Sequence, residues 1–300
     1  MPGGGPQGTL LGLFLFLVLI NDFCQLDRNL AVGSMITNPP KKFCPATFCA
    51  KYIDDLSIAE ALKIKETINN QTCKLYSELE NIKAYSEENK MVLNLKKTKF
   101  CLSNPIRNQS FTPEVYIDNT AIVNHETITI WGVTVSNNLS WKSNTESIVS
   151  KAYKKLWAIR RLKKHGANDD DLLDVYTKQV RSVVEFGVPV WNSGLTLEEV
   201  NNIERIQKTF LHILLGNKYT NYNSALLSSG LERLSVRRTN LCKKFAQKTQ
   251  RSDKYSHWFK ANHKQSITRR VGSKYILPRY KHERFRKSPI FYLTSLLNSS

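Results

Sequence analysis

Residues 43–59, FCPATFCAKYIDDLSIA, contain two apolar runs rich in β-formers that meet at the acidic pair Asp54–Asp55. This pattern predicts a β-hairpin that carries the two carboxylates at its tip. Adjacent carboxylates repel each other. A divalent cation bound between them removes that repulsion, and Mg²⁺ prefers oxygen ligands of this kind. The pair therefore predicts a magnesium site, although an Asp–Asp pair is also common in ordinary surface turns.

The positive charge of the chain is confined to its second half. The 300 residues carry a formal net charge of +19. Residues 1–150 contain 14 Lys or Arg and 14 Asp or Glu, whereas residues 151–300 contain 30 and 11. A neutral half followed by a cationic half indicates a folded or chemical module joined to a module that binds nucleic acid. A solvated basic surface is the alternative interpretation.

The composition is typical of a folded protein whose cysteines are reduced. An apolar fraction of 41% supplies a core, and 300 residues allow two domains or one large one. The six cysteines include no Cys-x-x-Cys pair, which favours reduced thiols in the cytoplasm or nucleus. Cys242, His257 and His263 offer only three zinc ligands at loose spacing, so a zinc site is the less favoured interpretation.

Residues 10–20 form an apolar run that follows a glycine-rich turn. These 11 residues are too few to span a bilayer, and no Lys or Arg precedes them as in a signal peptide. We therefore predict a buried helix, in a protein that is neither secreted nor transmembrane. A membrane-associated basic protein, combining this run with the cationic half, stays open as an alternative.

Hydrophobic periodicity changes from two residues to 3.6 residues near position 142. Before this point it predicts, in order, a long helix over 64–82, short strands at 91–95 and 100–103, a hairpin over 114–123 and a strand over 128–135. After this point it predicts helices over 148–162, from 169 to Pro189, over 200–214 and over 234–245.

Four sequence blocks occur in a particular order. They are a Pro-Gln-Gly turn followed by the apolar run (4–22), the Tyr-Ile-Asp-Asp quartet (52–55), residues 91–100 and residues 130–141. Together they resemble motifs B to E of the reverse transcriptases of non-LTR (LINE-type) retrotransposons. Short blocks at 151–152, 183–186, 189–191 and 203–208 also resemble that family. The resemblance therefore covers nearly the whole chain, and the ordered combination is more specific than any single block.

The resemblance implies RNA-directed DNA synthesis by nucleotidyl transfer with two Mg²⁺ ions. It implies that Asp54 and Asp55 are catalytic metal ligands. It also implies that Lys97, in the family's Asn-x-x-Lys-Thr pattern, neutralises or protonates the leaving pyrophosphate. A solvated lysine pair, Lys96–Lys97, is the plainer interpretation.

The same resemblance assigns residues that position the substrates. Gln7, Gly8 and Tyr52 would contact the template, the incoming nucleotide or the primer end. Trp131 and Gly132 would grip the primer strand, with Trp131 in place of the family's aliphatic residue. Ordinary turn and strand roles remain the alternatives for these residues.

A set of basic residues lies opposite the apolar face of the helix predicted over 148–162 and its C-terminal extension. They would follow the phosphates of an RNA–DNA duplex, unless they are only solvated. The residues are Lys154, Lys155, Arg160, Arg161, Lys163 and Lys164. Beyond residue 250, basic and aromatic residues alternate in a way that suits phosphate contact and base stacking.

We therefore expect an α+β chain with a partial polymerase palm (1–142), a helical thumb-like domain (143–250) and a basic aromatic tail (251–300). The family's motif A aspartate precedes the Pro-Gln-Gly block, and only three residues precede Gly4 here. We thus expect a C-terminal fragment of a longer polymerase with negligible turnover of its own. Its partners would be an RNA template, a DNA primer and dNTPs. The alternative is a non-catalytic nucleic-acid-binding remnant of a retroelement.

Overall fold

The computed structural model describes residues 47–52, 55–60, 74–103, 114–117, 119–253, 255–262, 274–280 and 283–299. In this part the chain is mixed α+β and mostly helical, so the predicted fold class is confirmed. The chain divides into two compact units, Met1–Trp131 and Gly132–Ser300. The assignment of palm, thumb and tail to parts of the chain stays a prediction.

An antiparallel hairpin opens the described part of the first unit. Strands β1 (Thr47–Tyr52) and β2 (Asp55–Glu60) pair from Thr47↔Glu60 to Tyr52↔Asp55, as the sequence predicts. This register leaves only Ile53 and Asp54, which lie outside the described residues, to join the strands. At the other end of the hairpin, the Glu60 carboxylate accepts a hydrogen bond from the Leu75 amide at 2.9 Å. That bond anchors the hairpin to the first turn of helix α1 (Lys74–Glu88).

The core of the first unit, within the described residues, is small. Strands β3 (Val115–Ile117) and β4 (Thr120–Ile122) form the predicted second hairpin, with Asn119 at a positive φ of 58° between them. Their buried side chains are joined by partly buried apolar residues from α1 and from the segment after it. The cluster comprises Val115, Ile117, Ile122, Leu79, Leu93, Leu95 and Phe100.

The strand predicted over residues 91–95 is wrong, because local hydrogen bonds form a turn there. The Asn94 carbonyl accepts from the amides of Lys97 (3.0 Å) and Thr98 (3.1 Å) and from the Thr98 hydroxyl (3.0 Å). Asn and Thr compete for backbone groups in this way and so oppose strand pairing. The strand predicted at 100–103 is reduced to a single parallel bridge between Phe100 and Asn124.

The single strand predicted over residues 128–135 is also wrong. It is interrupted into β5 (Thr127–Ile130) and β6 (Val133–Ser136) by Trp131 and Gly132. Their φ values are 47° and 83°, and two consecutive positive values are typical of a tight turn rather than a strand. Within the second unit, the Thr134 amide donates to Asn144 Oδ1 at 3.1 Å, which ties β6 to the helix that follows.

The second unit is helical after β6. Its longer helices are α2 (Lys142–Lys164), α3 (Asp169–Val175), α6 (Leu197–Leu215), α7 (Tyr222–Ser229), α8 (Leu234–Gln250) and α10 (Pro289–Asn298). Shorter helices are α4 (Ser182–Glu185), α5 (Val188–Trp191) and α9 (Glu283–Arg286). The sequence predicts α2, α3, α6 and α8 and misses α7 and α10.

Polar side chains just before the helix fix the first turns of α3 and α6. The Asn168 side chain accepts from the Asp171 amide at 2.7 Å at the start of α3, as the Asn-Asp-Asp-Asp run predicts. A reciprocal pair of bonds between Thr196 and Glu199 forms a capping box at the start of α6. The caps satisfy amides that would otherwise lack partners at a helix end.

A single core joins the helices of the second unit. Helix α2 packs on α6, and α8 packs on α10. The rings of Tyr176 and Phe210 stack with centroids 3.9 Å apart. The fully buried Trp191 donates from its indole N–H to the Phe186 carbonyl at 2.9 Å. A buried aromatic that is also hydrogen-bonded fixes both the packing and the orientation of α5.

A π-helical turn, Tyr176–Arg181, connects α3 to α4. The side chains of Leu172, Tyr176, Val180 and Val184 are all fully buried at intervals of four residues. In an ideal α-helix each four-residue step overshoots a full turn by about 40°, so this row would rotate out of the core. The wider π turn takes up the excess and keeps the row on one face.

Pro189 was predicted to end this helical segment, and that prediction is wrong in its position. The segment ends at Glu185, before Gly187, whose φ of 65° interrupts the helix. Pro189 instead lies in the first turn of α5, where its missing N–H leaves no bond unmade.

A buried carboxylate organises the start of α8. Glu204 of α6 accepts hydrogen bonds from the amides of Leu234 and Ser235, each at 3.1 Å, and from the Tyr222 hydroxyl. Its neighbour Gln207 donates to the Glu232 carbonyl at 2.8 Å. The charge at a helix N-terminus and the satisfied bonds make this buried polar group favourable.

Candidate nucleic-acid interface

The predicted acidic site is only partly within the described residues. Tyr52 and Asp55 are paired across the end of the β1–β2 hairpin, so these two residues of the quartet lie at the end of the hairpin. Asp54, Gln7 and Gly8 lie outside the described residues. The metal site and the template contacts therefore stay predictions.

Lys97 lies in the Asn94 turn of the first unit. Its amide is held by the Asn94 carbonyl and by Asn94 Oδ1 at 3.2 Å, while its side chain is exposed. The Asn-x-x-Lys-Thr block thus forms a local turn that holds a lysine in solvent, where an anion can reach it. Its role toward pyrophosphate stays a prediction.

The fold itself requires a glycine at position 132, in the predicted primer grip. A Cβ on Gly132 would lie 3.0 Å from Cε1 of Phe186, and the φ of 83° also favours glycine. Trp131 is 43% exposed. The turn and the Phe186 ring are sufficient to explain Gly132, so its contact with a primer stays a prediction.

The described residues give no support to a metal centre built from His, Cys, Asp and Glu, because no three of them are grouped there. Cys242, one of the three residues considered for zinc, is fully buried in α8. Burial raises the pKa of its thiol to about 11, which keeps it neutral at pH 7. Within the described part of the chain, Cys242 is a core thiol, and His263 lies outside it.

Helix α2 carries the six predicted phosphate-binding residues. Its buried row of Ile148, Ala152, Leu156 and Ile159 fixes which side faces the core. Lys154, Arg160, Arg161 and Lys164 are exposed, and Lys155 and Lys163 are partly exposed. The structure therefore exposes four of the six side chains, and it leaves Lys155 and Lys163 partly buried.

Three of these cations line an open groove between α2 and α6, with a cavity volume of about 460 Å³. Arg160, Lys163 and Lys164 come from α2, and Thr209, His212 and Ile213 come from α6. None of the six lining residues is acidic. The His212 ring stacks on Tyr219 with centroids 3.5 Å apart, which holds the imidazole in position. Such a groove concentrates positive potential and suits phosphate oxygens.

The α2 cations differ in how far local partners already satisfy them. Lys163 pairs with Asp169 at 2.5 Å, and Lys155 donates to Gln179 Oε1 at 3.0 Å. Within the described residues, Lys154, Arg160 and Lys164 form no ion pair. These three cations are therefore the most available to an external polyanion.

Sequence reasoning missed two exposed aromatic residues on α2. Tyr153 is 39% exposed and Trp157 is 60% exposed, and the Arg161 guanidinium lies 5.1 Å from the centre of the Trp157 ring. Their spacing of four residues, opposite the apolar row, was the signal that could have identified them. Thr209 and His212 were also missed, because periodicity does not reveal which helix faces α2.

Comparison of this chain with protein-family models, with curated proteins and with solved structures finds no match. Within the described ranges, no helix combines the length and the apolar character needed to cross a membrane.

Proposed function

We propose that the Gly132–Ser300 unit binds nucleic acid through the solvent side of α2 and the groove between α2 and α6. The observation that carries this proposal is the groove, which Arg160, Lys163 and Lys164 line and in which, within the described residues, Lys163 is paired with Asp169 while Arg160 and Lys164 form no ion pair. A phosphate backbone is the partner that matches repeated cations on one helix face. The concentration of the net charge of +19 in residues 151–300 supports the same partner.

The sequence resemblance extends this proposal to a polymerase. Under this extended proposal, the chain is part of a LINE-type reverse transcriptase that copies RNA into DNA from a DNA primer and dNTPs. Asp54 and Asp55 offer the hard oxygen donors that Mg²⁺ takes, at the end of a hairpin whose strands pair as far as Tyr52↔Asp55. Bound Mg²⁺ would supply charge stabilisation for nucleotidyl transfer. The second unit would hold the nucleic acid.

The binding proposal is tested by the salt dependence of affinity for a 16-base-pair RNA–DNA hybrid, measured by fluorescence anisotropy. In the double variant Arg160→Gln/Lys164→Gln we expect the slope of log K against log salt to fall by about 2, since each lost phosphate contact releases one counterion less. Lys178→Gln is the matched control, because Lys178 is already paired with Asp174 at 2.7 Å. An unchanged slope in the double variant would overturn the assignment of this surface.

The polymerase proposal is tested by primer extension on an RNA template with Mg²⁺, and by Mn²⁺ binding followed by electron paramagnetic resonance. In the complete polymerase of this proposal, Asp54→Ala is expected to lower dNTP incorporation by at least about a hundredfold, because a ligand of the metal is lost. Asp54→Asn is expected to weaken Mn²⁺ binding in the purified chain. The non-catalytic alternative instead predicts salt-dependent nucleic-acid binding with no effect of either substitution.

A further inference from the structure

Helix α2 presents an aromatic stripe beside its cations, and a duplex-binding surface does not require that stripe. Tyr153 and Trp157 lie on adjacent turns, about 6 Å apart along the helix axis. Both are exposed although both are large, with 60% of the Trp157 surface open. Large exposed aromatic residues on a helix whose apolar row is already buried indicate a binding surface.

The position of Arg161 makes this stripe suitable for a flat ligand. Its guanidinium lies 5.1 Å from the centre of the Trp157 ring, which restrains the indole and adds a planar cation to the surface. Exposed cations of the same helix, Lys154, Arg160 and Lys164, surround the stripe. The surface therefore offers π-faces for a planar group and positive charge for an adjacent anion.

We propose that Tyr153, Trp157 and Arg161 form a stacking platform for unpaired bases of single-stranded nucleic acid next to the α2–α6 groove. This inference rests on the proposed function and names a second substrate class for the same surface. Bases within a duplex are stacked on each other, so only an unpaired base offers its face to Trp157. The phosphates of that strand then contact the cations around the stripe.

The test compares two ligands of equal length on the full chain: a 12-nucleotide oligo(U) RNA and a 12-base-pair RNA–DNA hybrid. Trp157→Ala is expected to weaken oligo(U) binding about tenfold, the effect of one lost base–aromatic stack. Binding of the hybrid is expected to change by less than about twofold, with the salt slope unchanged for both ligands because no charge is lost.

Trp157→Phe provides the conservative variant. It is expected to keep oligo(U) affinity within about threefold, since a smaller aromatic face still stacks. It should also abolish the part of the tryptophan fluorescence quenching that oligo(U) causes through Trp157. Leu227→Ala, which removes an 85% exposed apolar side chain from α7, is the matched control and should change neither ligand.

Equal losses for both ligands, no loss for oligo(U), or full quenching in Trp157→Phe would each overturn the stacking platform. The proposed function fails separately, and takes the platform with it, if neither ligand binds with a salt dependence. If the hybrid binds with a steep slope that Arg160→Gln/Lys164→Gln reduces, while Trp157→Ala leaves oligo(U) binding intact, only the platform is wrong. An unchanged circular dichroism spectrum and urea midpoint establish that each variant is folded.

Discussion

The two units hold different sets of predicted functional residues and support them in different ways. In the second unit, the cations of α2 stand on a helix whose inner row is buried in a core that includes Trp191, Tyr176 and Phe210. In the described part of the first unit, the buried core consists chiefly of short strands around Ile117. There the hairpin is anchored by the bond from the Leu75 amide to Glu60, at the end away from the acidic pair.

The difference shows how each kind of site keeps its geometry. A groove between two packed helices is positioned by many buried contacts, so its cations need no special local sequence. An acidic pair at a hairpin tip depends instead on the register of two strands, because a shift of one residue would reverse the faces of its side chains. The basic surface should therefore tolerate single changes that the acidic tip does not.

The largest expected difference between the units is in how much the free energy of unfolding falls when one buried side chain is removed. Trp191→Ala should lower the free energy of unfolding by about 3–5 kcal/mol, because a large cavity and an unsatisfied Phe186 carbonyl remain. Ile117→Ala should lower it by about 2 kcal/mol, because the smaller cluster can relax around the loss. Urea denaturation followed by circular dichroism measures both, and equal costs would remove the contrast between the two cores.

A second difference concerns the thiols Cys242 and Cys101. Burial raises the pKa of both, and that of Cys242 reaches about 11. The folded state thus holds its proton where the unfolded thiol has lost it, so stability should fall as pH rises from about 9 to 11, by up to about 2–3 kcal/mol. This slope should be smaller in Cys242→Ala, where Cys101, Tyr176 and Tyr222, whose pKa values burial also raises, account for the rest. Iodoacetamide at pH 8 should modify the partly exposed Cys101 before Cys242, and the reverse order would contradict the assignment of Cys242 to the core.

A close contact at the start of α2 sharpens the claim that helix packing positions the basic surface. A Cβ on Gly194 would overlap the indole of Trp141, the residue before α2. Gly194→Ala should therefore lower stability by about 1–3 kcal/mol through overpacking. The same change in a Trp141→Leu background should cost less, since the indole is gone. Additive effects in this double-mutant cycle would show that overlap with the Trp141 indole does not cause the loss of stability in Gly194→Ala.

The smallest expected effect is a difference in salt slope between variants of two neighbouring cations of the groove, Lys163 and Lys164. Lys164→Gln should reduce the salt slope of hybrid binding by about 0.9, the value for one phosphate contact. Lys163→Gln should reduce it by less, because Lys163 already pairs with Asp169 at 2.5 Å. Anisotropy titrations between 50 and 300 mM salt, at matched protein stability, measure the difference. A larger effect for Lys163 would show that its ion pair opens in the complex.

Periodicity predicted the helices of the second unit where the buried row is regular. The spacing of Ile148, Ala152, Leu156 and Ile159 placed the inner face of α2 correctly, and Asn168 marked the start of α3. Helix α10 was missed because its sequence, PIFYLTSLLN, is apolar on most sides and depends on packing against α8. Local sequence carries no signal for a partner elsewhere in the chain.

The failures in the first unit have a different cause. Trp131 is an unusual residue at a positive φ, so alternation over 128–135 suggested one strand where the chain turns. Asn94 and Thr98 bond to nearby backbone and replace a predicted strand with a turn. In both places a short-range preference for a turn overrode a hydrophobic pattern typical of strands.

Seven of the fifteen residues in the second-half blocks that carry the family resemblance, at 151–152, 183–186, 189–191 and 203–208, are buried. Trp191 and Ile203 are fully buried, Glu204 caps α8, and Glu185 pairs with Arg237. These residues specify helix packing, so in this half the resemblance bears on the fold more than on contacts with a ligand. The groove itself could not be predicted, because Arg160 and His212 come from different helices that only the folded chain brings together.

The wide turn at Tyr176–Arg181 makes the length of this segment part of its architecture. One residue fewer there would separate Leu172 and Val184 by eleven residues, about three turns of an ordinary α-helix, so both would stay on one face without the wide turn. One residue more would rotate everything after it by about a further 100° around the helix axis, turning Val184 out of the interior and Glu185 away from Arg237. The segment should therefore accept a deletion more readily than an insertion.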